Sequence, residues 1–370
     1  MLPLRMFLIT LRMGFRYIGS KTRILFELMT EIHKYAKKEG HICDLMCGTG
    51  AVSAELRKGG YKVTAVDIMS QSYHHTQVQL FLDSAPGFES IELGLPSTAQ
   101  QNTIKKPLGY DKVINTLNNL EPVKGYFWRE FSPDGAPSNG TRPRKYFSSE
   151  NAKRIDAVRG YIAEQRKREN VSDLEYSLLI HDLIMAANDV ANIAGTYGHY
   201  LSKFVNRALQ PIFFKKTKFM RIGSTEGHKV LQGPAEEFAG EISCDLCYID
   251  PPYMKRQYAA NYHILETLAR GDEPEAIGLS GLRPWRDQYS NFCSKLKIRN
   301  SFSKIFSDMD CTQYLISYSE DGLLSEEELL AFLEGFGEVD LHKFSNKRFK
   351  SNDSRLKPNL NEYLLHLKLS

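Results

Sequence analysis

Residues 41–69, HICDLMCGTGAVSAELRKGGYKVTAVDIM, leave few folds open. A short apolar strand carries an acid, Asp44, into a glycine turn, Gly48-Thr49-Gly50; a helix of small residues follows, and a second apolar run, YKVTAVD, closes on Asp67. This order reads as a β-α-β unit, and therefore as part of a parallel sheet. Glycines at the start of the helix let a ligand approach the backbone there, and an acid at the end of the next strand, about 20 residues on, commonly takes ribose hydroxyls. The combination points to a nucleoside cofactor, whereas a lone Gly-x-Gly would by default be a tight structural turn. Position 53 is Ser where a dinucleotide site usually has a third glycine, and no phosphate-binding Lys-Ser/Thr pair follows, which tilts the reading away from NAD. Asp44 suits a ligand with an amine or a positive charge, as S-adenosylmethionine has; its plain alternative is to cap the turn.

A second strand end, in CDLCYIDPPYMKRQY at residues 244–258, is as constrained. Proline gives a sheet no amide hydrogen and restricts the residue before it, so the strand must stop at Asp250-Pro251-Pro252-Tyr253. Such a stiff turn can hold a carboxylate, a carbonyl and an aromatic face against one small flat ligand, or it can simply end a strand with an exposed acid. The 370 residues, 42% hydrophobic and 25% charged, suit one large globular domain and a smaller one. A formal charge of +4 is compatible with nucleic acid and with many other partners. Six irregularly spaced cysteines predict reduced core thiols, Cys244 and Cys247 included, rather than disulfides or a metal site. His74 and His75 have no ligand partners at useful spacing and read as surface or packing residues. The opening MLPLRMFLITLRMGF is too short and too interrupted for a membrane span and lacks a small-residue cleavage site; a cytoplasmic protein is expected, with Met13 as an alternative start.

Three separated pieces, RYIGSKTRIL (16–25), DLMCGTG (44–50) and IDPPY (249–253), stand in the order of the alpha group of adenine amino-methyltransferases acting on DNA. The chain resembles the Dam-type adenine methylases of that group. The likeness continues through QYAANYHILETLA, YLISYSEDG and the terminal NEYLLHLKL, and so covers nearly everything but the middle. It implies catalysis by Asp250, Pro251, Pro252 and Tyr253. It further implies an S-adenosylmethionine site formed by Tyr17, Gly19, Lys21, Asp44, Gly48, Gly50, Asp67, Glu236 and Asp250. The acid that the family carries at a strand end around 230–238 falls on Pro234 here, and Glu236 is the candidate substitute. Taken without the family, YIGSK is a short turn before a helix, with Ser20 as its N-cap. The resemblance implies double-stranded DNA as partner, no metal, and a separately encoded restriction endonuclease as companion.

Residues 85–215 read as an insertion between two parts of the catalytic domain, 1–84 and 216–370. Its first half looks loop-rich; then SSENAKRIDAVRGYIAEQRKRE, with Ile155, Val158 and Ile162 in helical register, and DLEYSLLIHDLIMAANDVANIA predict two helices. In the family this position reads the DNA sequence. Arg142, Arg144 and Lys145 beside Tyr146 and Phe147, and Lys347 and Arg348 in a basic loop near the C-terminus, are candidates for DNA contact, against the alternative of solvated charge. Asn192 to Phe204 has a composition suited to base or phosphate contact, although a glycine-terminated helix explains Gly195 equally. The expected fold is α/β, a Rossmann-like methyltransferase sheet with an inserted, mainly helical target-recognition domain. An RNA or small-molecule methyltransferase, and a DNA-binding protein with a decayed catalytic shell, are the competing readings.

Overall fold

The structure, a computed structural model, describes residues 21, 24–91, 109–347 and 359–370. The chain runs α1 (Leu25–Tyr35), β1 (His41–Leu45), α2 (Ala51–Lys58), β2 (Lys62–Asp67) and α3 (Ser70–Phe81). It then leaves the sheet for α4 (Gly109–Asn119), α5 (Tyr126–Phe131), α6 (Ser149–Lys167) and α7 (Asp173–Asp189). It returns through β3 (Lys229–Gln232), α8 (Ala235–Phe238), β4 (Leu246–Ile249), α9 (Tyr258–Asn261) and α10 (His263–Arg270). It ends with α11 (Ile298–Asp308), β5 (Gln313–Ser319), α12 (Glu326–Leu333), β6 (Gly337–Lys347) and β7 (Asn359–Leu369).

Among the described residues, seven strands form one sheet in the order β3-β2-β1-β4-β5-β7-β6. The first five are parallel, β7 runs antiparallel to β5, and β6 antiparallel to β7. This is the Rossmann-like α/β architecture expected. The central strands are buried on both faces and alternate between them. Cys43, Leu45, Cys247 and Ile249 face one side with Phe302, Ile305 and Leu329 of α11 and α12. Ile42, Leu246 and Tyr248 face the other with Leu28, Ile32 and Leu56 of α1 and α2. The thiols follow this packing: all six cysteines are unbridged, and only Cys244 is partly exposed.

Helix starts are legible locally. Ser172 with Glu175, and Ser325 with Glu328, form capping boxes on α7 and α12, and Ser148 caps α6. The loop-rich reading of the insertion's first half fails at α4. Tyr110, Val113, Ile114 and Leu117 recur at helical spacing and are all buried. The insertion's core, with Ile155, Val158, Ile162, Leu179 and Leu183, is continuous with Val78 of α3 and with Ile264, Leu265 and Leu268 of α10. His74 and His75 lie within this junction. His74 Nδ1 is 3.0 Å from Ser177 Oγ and His75 Nδ1 is 2.7 Å from His181 Nδ1, so of the two readings offered, packing is the one realised.

The basic cluster of the insertion needs correction. Arg144 is fully buried, and its guanidinium donates to the Glu130 carboxylate at 3.0 Å and to the carbonyls of Glu130, Ala276, Gly278 and Leu279. With every N–H directed inward it cannot grip a phosphate. Tyr146 and Phe147 are core residues as well. Arg142 is exposed, and the half-buried Lys145 donates to the Ser202 carbonyl. Asn192 is also structural: its amide bonds the Lys145 and Leu201 carbonyls and the Val205 amide.

Candidate active site

The strand order reverses between β1 and β4, and a cleft opens at their carboxyl ends. From β1 comes the glycine loop. Met46, Gly48 and Gly50 all have positive φ (67°, 56° and 73°), which curls the chain so that the Gly50 amide bonds the Cys47 carbonyl before α2 begins. Glycine is required at position 50 twice over, because a Cβ there would lie 2.8 Å from Thr76 Oγ1 as well as on a left-handed backbone. Met46, a non-glycine residue in the same region and on the cleft wall, holds local strain.

Three carboxylates, Asp44, Asp67 and Glu236, line the cleft. Asp44 is buried and accepts from Ser53 Oγ at 2.5 Å. The residue that breaks the dinucleotide pattern is thus the partner of the acid. Burial, opposed by Ser53 and helped by the charge of Asp250, pushes Asp44 up to about 7. Asp67 accepts the Gly48 amide on one oxygen and the Met69 amide on the other, both at 2.8 Å, so it fastens β2 to the glycine loop. Burial outweighs these amides and lifts it to about 6. The Gly233 amide bonds the Asp67 carbonyl, bringing Pro234 and Glu236 to the cleft, where Ser301 Oγ donates to Glu236 at 2.6 Å.

From β4 comes the proline turn. Asp250 lies 3.1 Å from Lys21 Nζ, and burial, countered by that ammonium, raises it to about 6. Lys21 is itself buried; burial alone would lower its pKa, but Asp250, Tyr253 and Glu362 hold it above the ordinary lysine value. Its ammonium stands 5.7 Å from the centre of the Tyr253 ring, which leans on Tyr318 at 5.6 Å. The cleft therefore brings together Lys21, Asp44, Gly48, Asp67, Glu236 and the whole Asp250-Pro251-Pro252-Tyr253 turn. Tyr17, Gly19 and Arg348 lie outside the described residues, as does the Lys347 side chain.

Residues 17–332 match the family model described as D12 class N6 adenine-specific DNA methyltransferase. The chain belongs to this family. Over 342 residues this D12 class methyltransferase is 33% identical to the type II methyltransferase M.NlaIII of Neisseria lactamica, covering 91% of this chain and 92% of that protein. It is 30% identical over 363 residues to M.CviAII of Paramecium bursaria Chlorella virus 1, covering 94% and 96%. It is 32% identical over 359 residues to M.FokI of Planomicrobium okeanokoites, covering 95% of this chain and 52% of that protein, so it spans about half the length of M.FokI.

The methyltransferase cleft has a wall that motif reading did not find. Gln257 and Ser290 clasp each other, Gln257 Nε2 to the Ser290 carbonyl at 3.0 Å and the Ser290 amide to Gln257 Oε1 at 2.8 Å. This clasp sets Tyr258, Tyr289 and Phe292 along the cleft. Gln288 crosses to the Ile68 carbonyl and to Glu266, whose carboxylate in turn accepts the Ser70 and Gln71 amides at the start of α3. Residues 288–292 carry no local signature, since their placement comes from tertiary partners. Among the described residues no helix is long and apolar enough to cross a membrane, and no His/Cys/Asp/Glu group could hold a metal.

Proposed function

We propose that the chain methylates the exocyclic amine of a flipped-out adenine in double-stranded DNA, using S-adenosylmethionine, as the cytoplasmic modification half of a restriction-modification pair whose endonuclease is a separate protein. The observation that supports this most is that the glycine loop and the proline turn end neighbouring strands and open into one cleft. When bound, S-adenosylmethionine supplies a methyl group on a positively charged sulfonium. The lining suits such a cation: Asp44, Asp67, Glu236 and Asp250 are acidic, and Lys21 is already engaged by a carboxylate. The glycine loop admits close approach, and the lone pairs left on Asp67 suit ribose hydroxyls.

The amine of adenine is a poor nucleophile because its lone pair is delocalised into the ring. Two fixed acceptors, the Asp250 carboxylate and the Pro251 carbonyl, draw its hydrogens aside and turn the lone pair outward. Once the nitrogen carries the methyl group it sheds one hydrogen as a proton, for which Asp250 is a nearby acceptor. Tyr253 offers a ring to a base that has left its stack, worth about 1–3 kcal/mol. Reading of the target sequence belongs to the insertion at 85–215, with Arg142, Lys145, Lys347 at the end of β6, and Arg348 as phosphate contacts.

Purified protein given labelled donor and genomic duplex DNA should deposit the label on adenines in one recurring sequence context, read by sequencing that detects modified bases. Label found on RNA or small molecules, with none in duplex DNA, overturns the proposal.

A further inference from the structure

The Lys21 ammonium serves two carboxylates. It lies 3.1 Å from Asp250 and 3.7 Å from Glu362 Oε2, an oxygen that is buried and makes no hydrogen bond among the described residues. Glu362 belongs to β7, where it stands opposite Ser319 of β5 and Phe344 of β6, so the sheet fixes its position. It does not line the cleft, and among the described residues its ion-pair partner there is Lys21. A lysine paired with Asp250 alone would neutralise that carboxylate more fully and weaken it as an acceptor for protons.

We propose that Glu362 is a positioning residue for methyl transfer: it draws part of the Lys21 charge away from Asp250, leaving that carboxylate free to accept the hydrogen of the target amine and then its proton. This rests on the adenine methylation reading above. Among the described residues, the groups electrostatically coupled to Asp250 are Lys21 ahead of α1, Glu362 of β7, Asp44 of β1, Tyr248 of β4, Tyr253 of its own turn and Tyr258 of α9. Lys21 is the one cation among these, so dividing its charge decides how readily Asp250 holds a proton. Loss of the Glu362 charge strengthens the hold of Lys21 and makes Asp250 ionise at lower pH. Loss of Lys21 leaves two carboxylates facing each other and does the opposite.

The test is single-turnover methylation of duplex DNA across pH 5 to 8.5, with donor and DNA affinities measured alongside. Glu362→Gln should lower the rate constant at neutral pH roughly tenfold with both affinities within a few-fold, and move the acid limb down by about one pH unit. Glu362→Asp should keep the limb near its wild-type position, and Lys21→Met should move it up. An unmoved limb in Glu362→Gln, in a protein whose wild type methylates adenine, overturns this proposal alone. A wild type that methylates no adenine in duplex DNA fails the parent reading instead. Should Glu362→Gln not fold, an unmoved limb in Lys21→Met overturns the charge sharing on its own.

Discussion

Replacing Asp250 by Ala removes the acceptor for the target amine and leaves the Lys21 ammonium facing Glu362. Turnover should fall on the order of 10³-fold while donor affinity, measured by calorimetry, stays within a few-fold; near-normal turnover would end the proposed role. Tyr253→Phe should retain most activity and Tyr253→Ala lose it, because stacking needs a ring and not a hydroxyl. Equal losses would point to the hydroxyl instead. The raised Asp44 and Asp67 also bear on binding. Both are partly protonated near pH 6 to 7, and a cation seated beside them favours ionisation, so ligand binding in that window should release protons. Calorimetry in buffers of different ionisation enthalpy would detect this, and a buffer-independent heat would refute it. Asp44, Gly48 and Asp250 were legible because each is tied to a backbone event, a strand end or a left-handed turn. Gln257 and Gln288 were not, because what places them is a partner far away in sequence, and Ser53 showed only as a missing glycine although its partner Asp44 is close by in the chain.

Elements explain where the reading of charge went astray. A run of Arg, Lys and aromatic residues looks the same whether it faces solvent or core, and Arg144 turned out to be a post whose carbonyl partners hold the segment 276–279 against the end of α5. Arg144→Met should therefore cost about 1–3 kcal/mol of stability by leaving buried acceptors, Glu130 Oε2 and the Ala276 and Gly278 carbonyls, without their donor, while Glu130 Oε1 keeps Arg129 and Ser138. The salt dependence of DNA binding by the remaining folded protein should not change, as denaturant titration and binding at several ionic strengths would establish. A flattened salt slope would restore a phosphate contact. Arg57 does similar work in α2, its guanidinium bonding the carbonyls of Gln79, Leu82, Met220, Gly223 and Ser224. By contrast α6, α7 and α12 were readable, since a serine cap and an apolar period are local facts. α4 was equally local in its periodicity, and it was obscured by the turn-rich sequence around it.

For the whole molecule, the sheet and its reversal of order could be anticipated from two motifs, whereas the merging of the insertion's core with α3 and α10 could not. If the insertion reads DNA, exchanging residues 85–215 with those of a relative of different target should change the methylated context. The graft should fold well only when the α3 and α10 residues that face it are exchanged too. Unfolding midpoints of the two chimeras, and methylation mapping of the folded one, test both halves; an unchanged context moves the reader elsewhere. The strand order described above also orders events in time. Ile42 of β1 pairs with Leu246 of β4, and Thr64 of β2 with Lys229 of β3. On a ribosome adding roughly 5–20 residues per second, β1 waits about 10–40 s for its neighbour to be synthesised. During that interval the first two strands carry bare edges, the template on which nascent chains aggregate. Yield in a producing cell should then depend on how well holding chaperones shield this early hairpin-free pair, more than on the stability of the finished enzyme.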